Sequence, residues 1–323
     1  MVIKKLLLVI VSVSLSLILV EFLLYIDNYS TVYKQFRYKI NNVAYYFNDD
    51  PNDFLNNKLQ EKTVFLGDSY TEGAVCASKK KDFVNMVKSQ MGTECKSNTY
   101  NFGSFGRGPA DYLNIYNHFK QKNLKRVIVV LNYNDIEINT RYCQTFKELR
   151  NSGYYKINKV KMCDTILKKG EDRYNDTFLK RIDNILERAR IWQLIRDRLA
   201  NIPFLKKYYG RAVLPASYQN QQSEQFIVYL NILKQLQNDA KKNEIMIDFV
   251  FFPDVFYLKD KSYNQRWQPF TEAAKTEGII IKDAWEYIFE NKDSNNMAWS
   301  LTDRHPNCKA HEIMANYIVE KIL

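Results

Sequence analysis

Apolar and polar positions alternate in two different periods along most of the chain. Short apolar runs rich in β-branched residues, Thr63 to Leu66, Asn98 to Phe102, Arg126 to Leu131, Ile245 to Phe252 and Gly278 to Ile281, predict strands. Between them lie stretches whose apolar residues recur every three or four positions, and these predict helices. One runs from Lys81 to Gln90 and stops at Gly92; another passes through Tyr112, Ile115, Tyr116 and Phe119. Others run from Ser223 to Lys242 with Phe226, Leu230, Leu233 and Leu236, from Asn264 to Glu277, and from Asn307 to Ile322. Strand followed by helix, repeated, argues for a parallel sheet with helices on both faces. The run Arg126 to Leu131 is apolar without alternation, as a strand covered on both faces must be. The expected fold is therefore α/β: three α/β/α layers around a flavodoxin-like sheet of about five parallel strands, with a helical insertion.

The insertion falls at about 139–220, where the rhythm breaks. Arg141 to Asp176 is polar and basic with little period, and Thr177 to Leu199 is an amphipathic helix with Phe178, Ile182, Ile185, Leu186, Ala189 and Trp192 along one side. A connection of that length inside a compact domain is usually a lid or inserted cap. Its apolar stripe is read as core rather than as a ligand site.

The first residues add a different kind of pattern. Lys4 and Lys5 precede an apolar run from Leu6 to Val20, continued past Glu21 by Phe22 to Ile26. A membrane helix needs about 20 such residues, and lysines before the run predict that the chain beyond it is exported. A cleaved signal peptide is the competing reading, although 19–30 offers no small-x-small cleavage site. The expected organisation is an anchor or signal segment at 1–27, a linker at 28–60 with the turn cluster 48–53, and one catalytic domain at 61–323.

Composition narrows the partners. Lysine and arginine total 47 against 36 acidic residues, a formal charge of +11, which either is a solvated surface or suits membrane lipid, an acidic glycan or nucleic acid. Nucleic acid is set aside, because the lysines are scattered and no zinc-finger, aromatic RNA-binding or basic-helix signature occurs. The five cysteines form no CxxC pair and no Cys/His pattern, so neither a metal nor another cofactor is expected. In an oxidising compartment Cys76 with Cys95 and Cys143 with Cys163 are the pairs near in sequence; reduced buried thiols are the alternative.

Four turns carry candidate chemistry. The first strand stops at Gly67, and Asp68 and Ser69 follow at the sheet edge where ligands of open α/β sheets sit; the plain alternative is a helix cap. Gly103, Gly106 and Gly108 form a glycine-rich turn into a helix, whose N–H groups can hold an anion; the spacing is not that of a dinucleotide fingerprint. Asn134 follows the clearest strand, and is either an amide donor or a turn former. His305 has Asp303 two positions before it and Pro306 after it, an arrangement that suits an oriented general base, or else a loop before a helix cap. His118 reads as a surface residue and His311 as a structural one.

Taken together, Gly67-Asp-Ser69, Asn101-Phe-Gly-Ser-Phe-Gly106, Asn132-Tyr-Asn134-Asp135 and Asp303-Arg-His305-Pro306 resemble, in order, the four blocks of the SGNH (GDSL-type) hydrolase family. The resemblance implies Ser69 as nucleophile, His305 as base, Asp303 as its orienting acid, and an oxyanion hole from the N–H of Ser69, the N–H of Gly106 and the side chain of Asn134. Asn132 stands where the family has glycine, and the Asp-x-His spacing resembles exported, membrane-anchored members, including some that acetylate or deacetylate surface polysaccharides. The α/β-hydrolase elbow is excluded, since G-x-S-x-G would require glycine where Thr71 stands. The implied activity is a serine esterase or acyl-transferase acting on O-acyl, chiefly O-acetyl, esters of cell-envelope glycans or related small esters. Water as acceptor makes it an esterase; a sugar hydroxyl makes it an O-acyltransferase. Alternatives are a lipid esterase or thioesterase, and a silent membrane-tethered polysaccharide-binding protein. The expected partners are the acylated substrate and, through the first helix, the inner membrane, with the catalytic domain on the periplasmic side.

Overall fold

The computed structural model describes residues 35–57, 60–73, 80–92, 98–135, 140–151, 221–259, 265–292, 297–298 and 305–323, with Ser16, Cys76 and Cys163 individually. The anchor segment, most of the insertion and Asp303 lie outside the described residues. Among the described residues, no helix is long and apolar enough to cross a membrane.

Strand β5 (Leu124–Leu131) shows why the sheet reads as continuously apolar. It lies in the centre of five parallel strands, in the order β4 (Thr99–Asn101), β3 (Lys62–Leu66), β5, β6 (Met246–Phe251), β7 (Ile281–Asp283). Its neighbours pair in register, Leu66 with Val129 on one side and Leu131 with Phe251 on the other. Val127, Val129 and Leu131 enter one core, whereas Ile128 and Val130 enter the second, so every position must be apolar. The first core is covered by α4 (Pro109–Phe119), α6 (Glu224–Lys242) and α7 (Gln268–Thr276). The second is covered by α3 (Phe83–Gln90), α8 (Trp285–Asn291) and α9 (Cys308–Lys321). This is the expected three-layer α/β sheet, with each crossover long enough to return a strand in parallel.

Three local outcomes differ from the sequence reading. Within 28–60, β1 (Phe36–Ile40) and β2 (Val43–Phe47) form an antiparallel hairpin, and α1 (Pro51–Asn56) follows. Tyr45, Phe47 and Phe54 are fully buried in the first core, so this stretch is part of the domain rather than a leader to it. The turn residues Asn41 and Asn42 both adopt positive φ (47° and 64°), which is the geometry of a two-residue hairpin loop. The pair was a legible signal, masked because tyrosines and basic residues carry the alternation. Second, Thr140–Asn151 is a helix, α5, although its period is weak; Cys143, Phe146 and Leu149 are buried beside α4. Third, Gly278 at φ 76° terminates α7 instead of opening a strand, and the last strand starts at Ile281.

Two disulfides are present among the described residues. Cys143 bonds Cys163, one of the sequence-near pairs, but Cys76 bonds Cys308, not Cys95. The separation of 232 residues hid that pairing, which depends on β3 and α9 delivering their ends to one edge of the sheet. In the loop-entropy account such bonds stabilise by about 5 kcal/mol for the long loop and about 3 kcal/mol for the short one, upper values because the unfolded chain retains structure.

Candidate active site

Ser69 is placed by what its neighbours need. Strand β3 ends at Leu66, and a Cβ on Gly67 would lie 2.0 Å from Thr71 Oγ1 and 2.9 Å from the Val130 carbonyl oxygen, so the residue at this turn must be glycine. Asp68 then caps the single-turn helix α2 (Ser69–Glu72): its Oδ1 accepts from the Tyr70 N–H at 2.9 Å. Asp68 is buried, and burial pushes its carboxyl up. The Asn132 side chain and the bond from the Tyr70 N–H, then the charge of His305 and the Ser69 hydroxyl, oppose that rise. Capping and nucleophile placement are therefore one arrangement, with the cap Asp68 and the C-terminal end of the strand delivering Ser69 together.

The serine hydroxyl meets the histidine. Ser69 Oγ lies 2.8 Å from His305 Nε2 and 3.3 Å from Asp68 Oδ2. A hydroxyl has one proton, and the shorter approach is to His305, which can accept it when Nε2 is the unprotonated ring nitrogen. His305 stands in front of α9, where Pro306 bridges Ala298 and the Asn307 N–H donates to the Met297 carbonyl at 2.8 Å. Asn307 Oδ1 caps the helix by accepting from the N–H groups of Lys309 and Ala310, each at 3.0 Å. The imidazole lies 5.8 Å from the Tyr70 ring and 6.4 Å from that of Phe105, centroid to centroid.

The second block wraps α2. Asn101 is fully buried; its Nδ2 donates to the Thr71 carbonyl and its Oδ1 accepts from the Gly103 N–H, both at 2.9 Å. The Ser104 N–H donates to the Gly67 carbonyl at 3.1 Å, which draws the turn against the nucleophile's own turn. Gly106 has φ 66°, a left-handed conformation that L side chains rarely adopt, and Pro109 then opens α4. The third block is organised by two side chains. Asp135 Oδ2 accepts from the Asn132 N–H at 2.8 Å, and Asn132 Oδ1 accepts from the Asn134 N–H at 2.9 Å. Asp135 also takes the Tyr112 hydroxyl at 2.6 Å; burial, then the Asp68 charge, push its carboxyl well up. Tyr133 reaches the Tyr70 ring at 6.1 Å, so this turn also borders α2, with Asn134 half-buried on it.

Of the residues singled out from sequence, Ser69 and His305 meet directly, while Gly106 and Asn134 occupy the two flanking turns at the same sheet edge. His118 is exposed and pairs with the Tyr38 hydroxyl. His311 is buried, its Nδ1 accepts from the Phe83 N–H at 3.3 Å, and burial followed by the charge of His305 holds it down at about 3, neutral in the fold.

Three residues or pairs at the site were missed. Asn132, taken as a departure from a glycine, folds the third turn by accepting the Asn134 N–H, and lies close enough to Asp68 to oppose the rise of its carboxyl. The Cys76–Cys308 bond joins the segments after Ser69 and after His305. Glu72 is 3% exposed, takes the Gln35 amide, and is bonded by the Phe105 N–H. Burial, opposed by that N–H and reinforced by Asp68, raises it to about 7. It borders a cavity of about 640 Å³ that Tyr46, Ser104, Phe105 and Arg107 also line. An acid three residues after a candidate nucleophile was the available signal for Glu72; nothing local marked the other two.

No protein-family model matches the chain, and no curated protein does. Solved structures do. A member of the lipolytic protein G-D-S-L family from Veillonella parvula matches over 81% of this chain and 98% of its own, at 11% identity and a TM-score of 0.43. The acetyl xylan esterase AlAXEase matches over 81% and 100%, at 13% identity and a TM-score of 0.43. Axe2, an acetylxylan esterase from Geobacillus stearothermophilus, matches over 81% and 94%, at 15% identity and a TM-score of 0.39.

Proposed function

We propose that the protein transfers acyl groups through Ser69, as an esterase or O-acyltransferase of the SGNH type. The observation that carries this reading is the 2.8 Å approach of Ser69 Oγ to His305 Nε2, between residues 236 apart in sequence. In the proposed reaction Ser69 Oγ attacks the ester carbonyl carbon while His305 takes its proton. The carbonyl oxygen becomes an oxyanion held by the N–H groups of Ser69 and Gly106 and the Asn134 amide. Collapse breaks the bond to the leaving alcohol, to which His305 returns the proton. Water or a sugar hydroxyl then repeats the sequence on the acyl-enzyme. Asp303 orients His305, and no cofactor takes part.

The proposed substrate is an O-acyl, chiefly O-acetyl, ester on a cell-envelope glycan. Support comes from the formal charge of +11, which favours an acidic polymer, and from the exposed Phe105 ring beside the cavity lined by Tyr46 and Arg107. The proposed location is the periplasmic side of the inner membrane, with the apolar run from Leu6 to Val20 as a single anchor; two disulfides favour an oxidising compartment.

A fluorophosphonate probe should label the wild-type protein and leave Ser69→Ala unlabelled. Folded wild-type protein that neither labels nor hydrolyses short p-nitrophenyl esters would refute the serine mechanism. Comparing hydrolysis with transfer to polysaccharide identifies the acceptor. Protease added on the periplasmic side should digest the domain, and a protected C-terminus would refute the topology.

A further inference from the structure

We infer that the Cys76–Cys308 disulfide is a positioning device for the reaction, holding the base His305 in register with the nucleophile Ser69. The inference rests on the serine mechanism proposed above. The nucleophile and base come from opposite ends of the domain, and the contact between them spans 236 residues of chain. Through the disulfide the path is short: Cys76 lies seven residues after Ser69, and Cys308 three after His305.

Hydrogen bonds tie the described residues of both arms. On the serine side, the Gly73 N–H donates to the Ser69 carbonyl at 2.9 Å, the Cys76 N–H to the Gly73 carbonyl at 2.8 Å, and the Lys81 N–H to the Cys76 carbonyl at 3.0 Å. On the histidine side, Cys308 is the first residue of α9, capped by Asn307, and Pro306 is bridged to Ala298. The disulfide and the Ser69–His305 hydrogen bond close a ring with these arms.

Ile313, Met314 and Ile318 bury against the second core with Val84 and Val87, which fixes the body of the helix. At the first turn His311 also meets the nucleophile's side: its Nδ1 accepts from the Phe83 N–H at 3.3 Å and its ring stacks on that of Phe83 at 5.9 Å. Cys76 is fully buried, so the bond is not an incidental surface oxidation. The Cys143–Cys163 bond ties α5 to residue 163, and neither cysteine adjoins Ser69 or His305 in the chain.

Displacing a reacting group by about 1 Å costs on the order of 100-fold in rate. Cys76→Ala/Cys308→Ala is therefore expected to lower kcat and the fluorophosphonate labelling rate by about 10- to 100-fold, with KM within about threefold of wild type. Circular dichroism confirms that the variant is folded at the assay temperature. Cys143→Ala/Cys163→Ala, which also removes a disulfide, should keep kcat within about threefold at a temperature where it too is folded. If the first variant does not fold, native protein is reduced with tris(2-carboxyethyl)phosphine, which takes oxygen from water as each bond becomes two thiols. Alkylation and mass spectrometry then count Cys76–Cys308 bonds against activity. Activity should fall in proportion to that bond and return on reoxidation. Wild-type kcat in either the folded double variant or the reduced protein would overturn the inference while leaving the serine mechanism intact. Wild-type protein inert to probe and ester would overturn both.

Discussion

Glu72→Gln separates charge from shape at a buried position next to the proposed nucleophile. In the fold the carboxyl is raised from its ordinary 4.5 to about 7, chiefly by burial; the Phe105 N–H opposes the rise, Asp68 adds to it, and His305 and Gln35 oppose it more weakly. Because the folded value lies above the unfolded one, the native state holds the proton that the unfolded chain has lost. This contribution is fully present below pH 4.5 and is lost as pH rises through about 7. At about 1.4 kcal/mol per unit, the gap corresponds to roughly 3 kcal/mol across that window. Glutamine matches the protonated acid in size and cannot ionise, so the variant should gain on wild type by up to about 3 kcal/mol between pH 4.5 and 8. Urea unfolding of both proteins at half-unit pH steps, with disulfides intact and tryptophan fluorescence as the signal, gives the difference directly. A stability difference constant to within about 0.5 kcal/mol from pH 5 to 8 would falsify the assignment of this titration to Glu72.

The remaining predictions concern the turns around the dyad. Asn134→Ala should lower kcat by about 10²–10³ with little change in KM, as loss of one oxyanion donor does; equal losses in labelling and binding of a non-reactive ester would point to a structural role instead. Asn132→Ala removes the buried acceptor of the Asn134 N–H, so it should destabilise by about 1–3 kcal/mol in urea and reduce turnover as well. His311 is held below its ordinary 6.5, so its contribution is present above pH 6.5 and is lost as pH falls toward about 3, opposite in sign to Glu72. His311→Gln should flatten the acid limb of a stability curve measured between pH 7 and 4; an unchanged limb would show that other groups cause it.

The sequence by itself determined the sheet and singled out Ser69 and His305, which the fold brings together. Residues such as Val127 to Leu131 must be apolar on both faces, and a parallel strand in that position has no other way to satisfy burial. Gly67 and Gly106 mark turns that no other residue makes without collision or strain, so their positions in the chain already located the sheet edge. What the tertiary structure decided were relations between segments far apart in sequence. The hairpin Phe36–Phe47 belongs to the core because Tyr45 and Phe47 find Phe54 and Phe102 there, contacts that no local period reveals. Glu72 is raised to about 7 only because the fold buries it, with Asp68 adding to the rise. Cys76 found Cys308 rather than Cys95 because the crossovers carry the ends of β3 and the start of α9 to the same edge. Local sequence fixes backbone choices, since dihedral and period preferences act over a few residues. Proton affinities and covalent pairing follow the three-dimensional surroundings, which the chain supplies from its far ends.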